Sequence, residues 1–323
     1  MQHTYVLHKI QILIIGFRVM TKCLVTGGSG FLGSEIVKEC LRKGYDVDVV
    51  DNLSGGNPEL LKDCDVMFYN LDVESEEFVR KLQNNKYDYI FNFGSDSSDR
   101  LYNLDGHSLL VTVKGMLNCV KLAKKTSASE IVFPSSGTIY GDLAPPQAEN
   151  LCPRPLTQYA STKVLLEHLA GLYSSEELKI LGLRVFTGYG EGERYKGDIA
   201  SFLWKSYLAG KENREIEIYG NGEQRRDFIY GEDVARIAVM GAESGLSGVI
   251  NAGTGYSYSF NEMISFLEKL IGKNIRKKYV PSPILTVKET RADTSRLLTE
   301  LKFQPRPLPE GLQIMHQRIL ELK

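Results

Sequence analysis

Residues Cys23-Leu-Val-Thr-Gly-Gly-Ser-Gly-Phe-Leu-Gly33 decide the fold. The apolar run Cys23-Leu-Val25 reads as a buried strand, Thr26-Gly-Gly-Ser-Gly30 as a tight turn, and Glu35-Ile-Val-Lys-Glu-Cys-Leu41 carries helical apolar spacing. Strand, glycine turn and helix in that order make a dinucleotide-binding unit. Gly27 or Gly28 permits the turn, Gly30 lets backbone approach a pyrophosphate, Gly33 allows close helix packing, and the helix N-terminus faces the phosphate charge. The next apolar segment, Asp46-Val-Asp-Val-Val50, ends in Asp51, eighteen positions past Gly33. A carboxylate there accepts hydrogen bonds from the adenosine ribose hydroxyls and repels a 2′-phosphate. No arginine follows in Asn52-Leu-Ser-Gly-Gly56, so the pattern favours NAD over NADP.

Outward from this unit, short apolar runs at Val66-Met-Phe68, Tyr89-Ile-Phe91, Ile131-Val-Phe133 and Ile180-Leu-Gly-Leu183 alternate with helix-period segments. The helices are predicted over Glu76 to Gln83, Leu109 to Lys124 and Tyr159 to Tyr173. That alternation implies an α/β fold with a doubly wound parallel sheet, whose ligands sit at the carboxyl ends of the strands. The Rossmann domain is expected over 20–185. Beyond it the pattern loosens into Gly-rich loops at Gly188-Tyr-Gly-Glu-Gly192 and Tyr219-Gly-Asn-Gly222. Residues 186–323 are expected to form mainly a smaller lobe of loops and short helices, with some segments returning to the first domain. The stretch 1–19 contains the apolar Ile10-Gln-Ile-Leu-Ile-Ile-Gly-Phe17, too short to span a bilayer. Met20 is the expected natural initiator, with the preceding residues an upstream start or an extra segment.

Tyr159 and Lys163, four residues apart, share one helix face. An ammonium beside a phenol stabilises the phenolate, and the pair can then work as one acid/base unit near neutral pH. Ser135-Ser-Gly-Thr-Ile-Tyr-Gly141 follows a predicted buried strand, so the Ser136 and Thr138 hydroxyls should emerge at the carboxyl edge of the sheet.

Gly27, Gly30 and Gly33 at G-x-x-G-x-x-G spacing, Asp51, the Ser136 segment and Tyr159 with Lys163 together resemble the extended short-chain dehydrogenase/reductases. The likeness is to their nucleotide-sugar epimerase/dehydratase branch and runs from about Thr21 to about Pro305. It implies that Phe31, Leu32, Asn52, Val73 and Phe93 join the cofactor site, and that Asp72 meets the adenine amine. It further implies that Ser136 hydrogen-bonds the reacting sugar hydroxyl and shares its proton with Tyr159. Lys163 would bind the nicotinamide ribose, Thr138 the sugar, and Arg226 in Arg226-Asp-Phe228 the substrate diphosphate. Sugar 4,6-dehydratases of this family carry Asp-Glu directly after the catalytic hydroxyl, and related decarboxylases a Glu two positions after it. Here those positions are Gly137 and Thr138. Simple hydride chemistry at one carbinol, as in 4-epimerisation of a UDP-hexose, is therefore the expected reaction.

Some positions depart from the family. Its diphosphate-binding Asn is Thr187, its Asn in the Asn-Val-x-Gly helix is Thr112, and its His-Leu-Ala-Ala is Asn92-Phe-Gly-Ser95 followed by Asp96-Ser-Ser-Asp-Arg100. Its second phosphate-binding Arg is Pro283, with Lys288 or Arg291 as substitutes. These changes surround the substrate and leave two alternatives open, a 4-keto nucleotide-sugar reductase and a non-catalytic NAD-binding sensor. An intact Ser136, Tyr159 and Lys163 speaks against the sensor.

With 323 residues, 42% hydrophobic content and net charge −1, the chain has room for a large core and carries no basic stripe for nucleic acid and no signal for a membrane partner. Five cysteines without C-x-x-C spacing suggest a reducing, cytoplasmic setting and no metal site. The resemblance implies a homodimer formed through the helices around Leu109 to Lys124 and Tyr159 to Tyr173. On the first of these, Val113, Met116, Leu117, Val120 and Leu122 compete between that interface and the protein's own sheet.

Overall fold

A computed structural model of the chain describes residues 20–98, 101–102, 106–282 and 287–321; the stretch before Met20, Asp99, Arg100 and Pro283 lie outside them. Seven strands form one parallel sheet: β1 (Lys22–Thr26), β2 (Asp46–Val50), β3 (Met67–Tyr69), β4 (Tyr89–Asn92), β5 (Glu130–Ser136), β6 (Lys179–Val185) and, later in the chain, β11 (Gly248–Ala252). Their order across the sheet is β11-β6-β5-β4-β1-β2-β3. The chain thus builds outward from β1 in one direction, then starts again beside β1 with β4 and builds in the other. Between β1 and β4 the crossovers leave on opposite faces, so a crevice opens at their carboxyl ends.

Helices cover both faces. On one, α1 (Phe31–Arg42) packs with α6 (Gly231–Ser244) over a core that includes Val25, Ile36, Val37, Val49 and Ile237. On the other, α2 (Glu76–Leu82), α3 (His107–Thr126) and α4 (Gln158–Tyr173) enclose Leu24, Phe78, Ile90, Met116, Val120, Ile131 and Leu166. The central strands are apolar on both sides because both sides are covered. Met116, Val120 and Leu122 are used by the protein's own core, whereas Leu117 is exposed.

Several element boundaries differ from the sequence reading by one to four residues, and those of β5 and α3 have clear physical reasons. β5 continues through Pro134-Ser-Ser136, because its parallel pairing with β6 persists to Ser136 opposite Val185. Ser136 is therefore a strand residue that also caps the following 3-10 turn, Gly137–Tyr140. Helix α3 starts at His107 and runs to Thr126 because Gly106 and Ser127, both left-handed, bound it.

The remaining lobe is more helical than its loosened pattern suggested. It contains α5 (Phe202–Glu212), α7 (Phe260–Ile271) and α8 (Leu308–Glu321), with short strand pairs formed by β7 (Thr187–Tyr189) with β10 (Phe228–Tyr230), β8 (Glu215–Tyr219) with β13 (Arg276–Val280), and β9 (Arg225–Arg226) with β12 (Tyr258–Ser259). Trp204, Tyr207, Ile218, Phe228, Met263, Leu267, Leu312 and Met315 fill its own core. α7 is set by a reciprocal cap in which Ser259 accepts from the Glu262 amide and Glu262 accepts from the Ser259 amide. Among the described residues no helix is long and apolar enough to cross a membrane.

The turn after β1 leaves no space for side chains. A Cβ on Gly33 would stand 2.0 Å from the Gly27 carbonyl oxygen. Gly33→Ala is expected to destabilise the protein by about 1–3 kcal/mol through overpacking against backbone, and a melting temperature equal to the parent's would refute this.

Candidate active site

At the end of β1 the chain turns through Gly27, whose φ is +66°. A Cβ there would come within 2.4 Å of the Phe93 carbonyl oxygen, so the glycine is required both by conformation and by the approach of the β4 strand end. Thr26 ties the two strands: its hydroxyl donates to Asn92 Oδ1 at 2.9 Å and accepts from the Gly94 amide at 3.0 Å. Helix α1 then opens behind Gly30, with no side chain capping its first amides and no acidic residue in its first turn. Among the described residues its first amides therefore carry no side-chain cap, and the positive end of the helix is left for an anion to meet. Ser29 Oγ is buried with no hydrogen-bond partner among the described residues. An orphaned hydroxyl beside an uncapped helix start fits a phosphate oxygen.

Asp51 lies at the end of β2, where its carboxylate accepts from the Ser29 amide at 2.9 Å and the Leu53 amide at 2.8 Å. Burial pushes its pKa up and these two bonds offset only part of that. Asn52 donates to Asp72 at 2.6 Å, which joins the ends of β2 and β3. Val73 is buried against α3, where Asn118 bonds its carbonyl at 2.9 Å, and Phe93 sits nearly buried beside Thr26. Leu32 packs on the adjacent core. Phe31 points toward the second lobe, into a nest of glycines: Cβ atoms on Gly190, Gly192 and Gly231 would stand 2.9, 2.9 and 2.7 Å from its ring. The glycine turn after β1, the unpartnered Ser29 hydroxyl and the Asp51 carboxylate at the end of β2 offer the backbone approach, the donor and the acceptor that a dinucleotide requires.

The second cluster forms where α4 packs on β5 and on the turn that follows it. Ser136 Oγ accepts from the Thr138 amide at 3.2 Å and from the Thr138 hydroxyl at 2.9 Å. Thr157 caps α4 by accepting from the Ala160 amide, which puts Tyr159 in the first turn and Lys163 one turn on. Tyr159 is half-buried, and Lys163 Nζ lies 5.2 Å from the centre of its ring. Lys163 is only 1% exposed. Burial lowers its pKa to about 8, against an opposing pull from the Asp96 carboxylate. Asp96 in turn accepts from the Ser108 hydroxyl at 2.5 Å.

In the second lobe Thr187 pairs with Phe228, two positions past Arg226, and its amide donates to the Asp227 carbonyl. The Arg226 guanidinium donates to the carbonyls of Arg225 and Val287 at 2.7 and 3.0 Å and lies over the Phe260 ring. Burial lowers its pKa. Among the described residues it has no carboxylate partner, in contrast to Arg225, which pairs with Glu262, and Arg291, which pairs with Glu289. Lys288 is exposed.

Sequence reading missed the group that joins these pieces. Glu167, one further turn along the Tyr159–Lys163 face, accepts from the Ser135 hydroxyl at 2.5 Å and takes a two-pronged bond from Arg184 at 3.0 and 2.9 Å. Arg184 is 4% exposed and also donates to the Tyr140 hydroxyl and the Glu149 carbonyl. Burial alone would lower the Arg184 pKa, but the Glu167 carboxylate and the Tyr140 hydroxyl together hold it above its ordinary value. The signal was present: an arginine inside the apolar β6 run demands a carboxylate, and Glu167 was in phase to supply one. Asp227 was missed as well. Fully buried, it accepts from the Thr254 amide and hydroxyl and the amides of Gly255 and Ala292, which fixes three chain segments beside Arg226.

The buried ammonium has a measurable consequence. Below about pH 8 Lys163 is charged in both folded and unfolded states, and the folded state bears the whole desolvation penalty. Between about 8 and 10.5 only the unfolded chain keeps the proton, so this group's contribution to stability rises with pH and is level above that window. Lys163→Met is therefore expected to stabilise the cofactor-free protein at pH 7 by up to about 3 kcal/mol, with the gain vanishing toward pH 10.5. Denaturation curves of the two proteins across this range check it; a gain independent of pH would contradict it.

Comparison with known proteins agrees with this geometry. Residues 23–253 match the NAD dependent epimerase/dehydratase family. The chain is 31% identical over 306 residues to a UDP-glucuronate 4-epimerase of Thermodesulfobacterium geofontis, covering 90% of this chain and 93% of that one. The fold superposes on the UDP-glucose 4-epimerase of Thermotoga maritima, solved with UDP-glucose, with a TM-score of 0.88 at 28% identity over 94% of this chain and 99% of that one. It also superposes on the Thermus thermophilus UDP-glucose 4-epimerase in complex with NAD, with a TM-score of 0.84 at 26% identity over 93% and 99% of the two chains. A crevice built for a dinucleotide, with a serine, a tyrosine and a lysine gathered on the neighbouring strand and helix, accords with these likenesses, and the chain belongs to the NAD dependent epimerase/dehydratase family.

Proposed function

We propose that this protein is an NAD-dependent epimerase that inverts C4 of a UDP-hexose through a transient 4-keto sugar. The observation that carries the reading is the composition of β5 and α4: Ser136 ends the strand, Tyr159 and Lys163 stand one turn apart on the helix packed against it, and the turn Gly137–Tyr140 supplies no carboxylate. Elimination or decarboxylation would need that additional acid or base, whereas oxidation and re-reduction of one carbinol need only a single proton acceptor.

In this reading Tyr159 takes the proton of the sugar hydroxyl, with Ser136 bonded to the same oxygen and Thr138 holding Ser136. Lys163, with its pKa at about 8, is still largely protonated at neutral pH and stabilises the phenolate. NAD bound in the crevice would supply a reversible hydride acceptor for that carbinol. Gly27, Gly30, Phe31, Leu32, Asp51, Asn52, Asp72, Val73 and Phe93 would hold it, the uncapped start of α1 and the Ser29 hydroxyl meeting its phosphates. Asp51 would accept from the ribose hydroxyls. The 4-keto sugar must turn over while its nucleotide stays anchored, a task that suits a guanidinium without a protein carboxylate. Arg226, helped by the Thr187 hydroxyl, is assigned that role, and the lobe it belongs to would hold the substrate. One relative is a UDP-glucuronate 4-epimerase and another was solved with UDP-glucose, which makes both sugars first choices for assay.

Purified protein mixed with UDP-glucose, UDP-glucuronic acid or UDP-N-acetylglucosamine, without added cofactor, should yield the 4-epimer of at least one with no net NADH. Stoichiometric use of added NADH by a 4-keto sugar, with no epimerisation, would replace this reading with a reductase. Tyr159→Phe should lower kcat by about 10²–10⁴ while retaining NAD.

We further infer a homodimer in a reducing, cytoplasmic setting. Leu110 and Leu117 on α3 and Leu165 and Leu172 on α4 form an exposed leucine face on adjacent helices, with Leu110 and Leu172 65% and 67% exposed. A second copy of the same face would cover it, and all five cysteines are free thiols. The double variant Leu110→Glu with Leu172→Glu should sediment as a monomer at micromolar concentration; a parent protein that is already monomeric there would end the proposal.

A further inference from the structure

Tyr159 does not stand against Lys163 alone. The ring of Tyr102 meets it edge to face, centroids 5.3 Å apart and planes 75° to one another. Tyr102 has no exposed surface, and its hydroxyl lies 2.6 Å from the hydroxyl of Thr112, itself buried on α3. Thr112 is one of the positions at which this chain departs from the family's usual asparagine. The Thr112 hydroxyl is one half of this buried pair.

We propose that Tyr102, anchored by Thr112, is a positioning residue that fixes the ring of Tyr159 so that its oxygen addresses the sugar hydroxyl. Helix α4 fixes only the backbone of Tyr159. The phenol oxygen sits far out on two rotatable bonds, and a small rotation displaces it by about an ångström, enough to change a rate by about 10²-fold. The Lys163 ammonium attracts the ring from one direction, and the Tyr102 contact supplies a second fixed surface, with the preferred edge-to-face geometry of two aromatic quadrupoles. The two phenols have separate tasks. Burial pushes Tyr102 up to about 12, so it stays neutral and serves as a wall and a hydrogen-bonding partner, not as a base. Its hydroxyl bond to Thr112 transmits the position of α3, which packs beside α4, to the ring of Tyr159.

This inference rests on Tyr159 as the acid/base of the proposed epimerase, so the parent protein is assayed alongside the variants. Failure of the parent to epimerise any nucleotide-sugar would defeat the functional reading. With an active parent, Tyr102→Leu should lower kcat at least about tenfold, with KM for the nucleotide-sugar within about threefold and NAD content unchanged. Tyr102→Phe and Thr112→Val, which both keep the ring but lose the hydroxyl bond between these two residues, should each fall between the parent and Tyr102→Leu in kcat. A purely structural role would lower NAD content and melting temperature together with kcat, and would overturn the proposal. So would a Tyr102→Leu protein with the parent's kcat. Should that variant fail to fold, Thr112→Val decides, since a kcat equal to the parent's would exclude the anchor and with it the proposal.

Discussion

One carboxylate holds the chemistry of this protein in register. Glu167 receives the Ser135 hydroxyl from β5 and the Arg184 guanidinium from β6 while standing on the helix that carries Tyr159 and Lys163. Ser135 is the neighbour of Ser136, so strand and helix are joined one residue and one turn away from the groups proposed to meet the substrate. Such a pair is held by geometry more than by net energy, because two ions removed from water recover their desolvation only when their remaining bonds are made. Arg184 makes them, to Tyr140 and to the Glu149 carbonyl, and Tyr140 passes the contact on to Asn251 of β11. Three strands and a helix are thereby fixed against one another under the site by a buried polar network whose bonds all stay within the protein.

Burial of Lys163 works in the opposite sense to that network. The ammonium is placed where water cannot reach it, with Asp96 offsetting part of the penalty. The protein gives up stability at neutral pH to keep a cation beside a phenol in a low-dielectric setting, where its influence on that phenol is strongest. Asp96 belongs to the stretch in which the chain departs from its family, and it gives that departure a role in the electrostatics of the site.

Much of the fold was legible in the sequence, and the reasons are local. The turn Gly27 to Gly33 is dictated by contacts that exclude any side chain, and apolar runs on strands covered from both faces stand out without a partner being known. Tyr159 and Lys163 were readable because helical spacing alone brings them together. What escaped depends on separations of many residues. Glu167 and Arg184 find each other across seventeen positions, Tyr102 and Tyr159 across fifty-seven, and Asp227 gathers Thr254 and Ala292. The second lobe was underestimated for a related reason. Its glycine-rich loops dominated the pattern, while helices such as α7 owe their limits to a capping exchange and to a core shared with distant segments.

The Phe31 nest has a consequence for how such an enzyme can change. The first residue of helix α1 occupies a hollow whose walls are glycines of the second lobe, Gly190 and Gly192, and of the helix start at Gly231. A side chain placed at any of these points would displace the aromatic ring and tilt the uncapped start of helix α1. With the roles proposed for that lobe and that helix start, substrate range and cofactor grip are mechanically geared, and laboratory evolution of one through the 188–192 loop should be monitored for drift in the other.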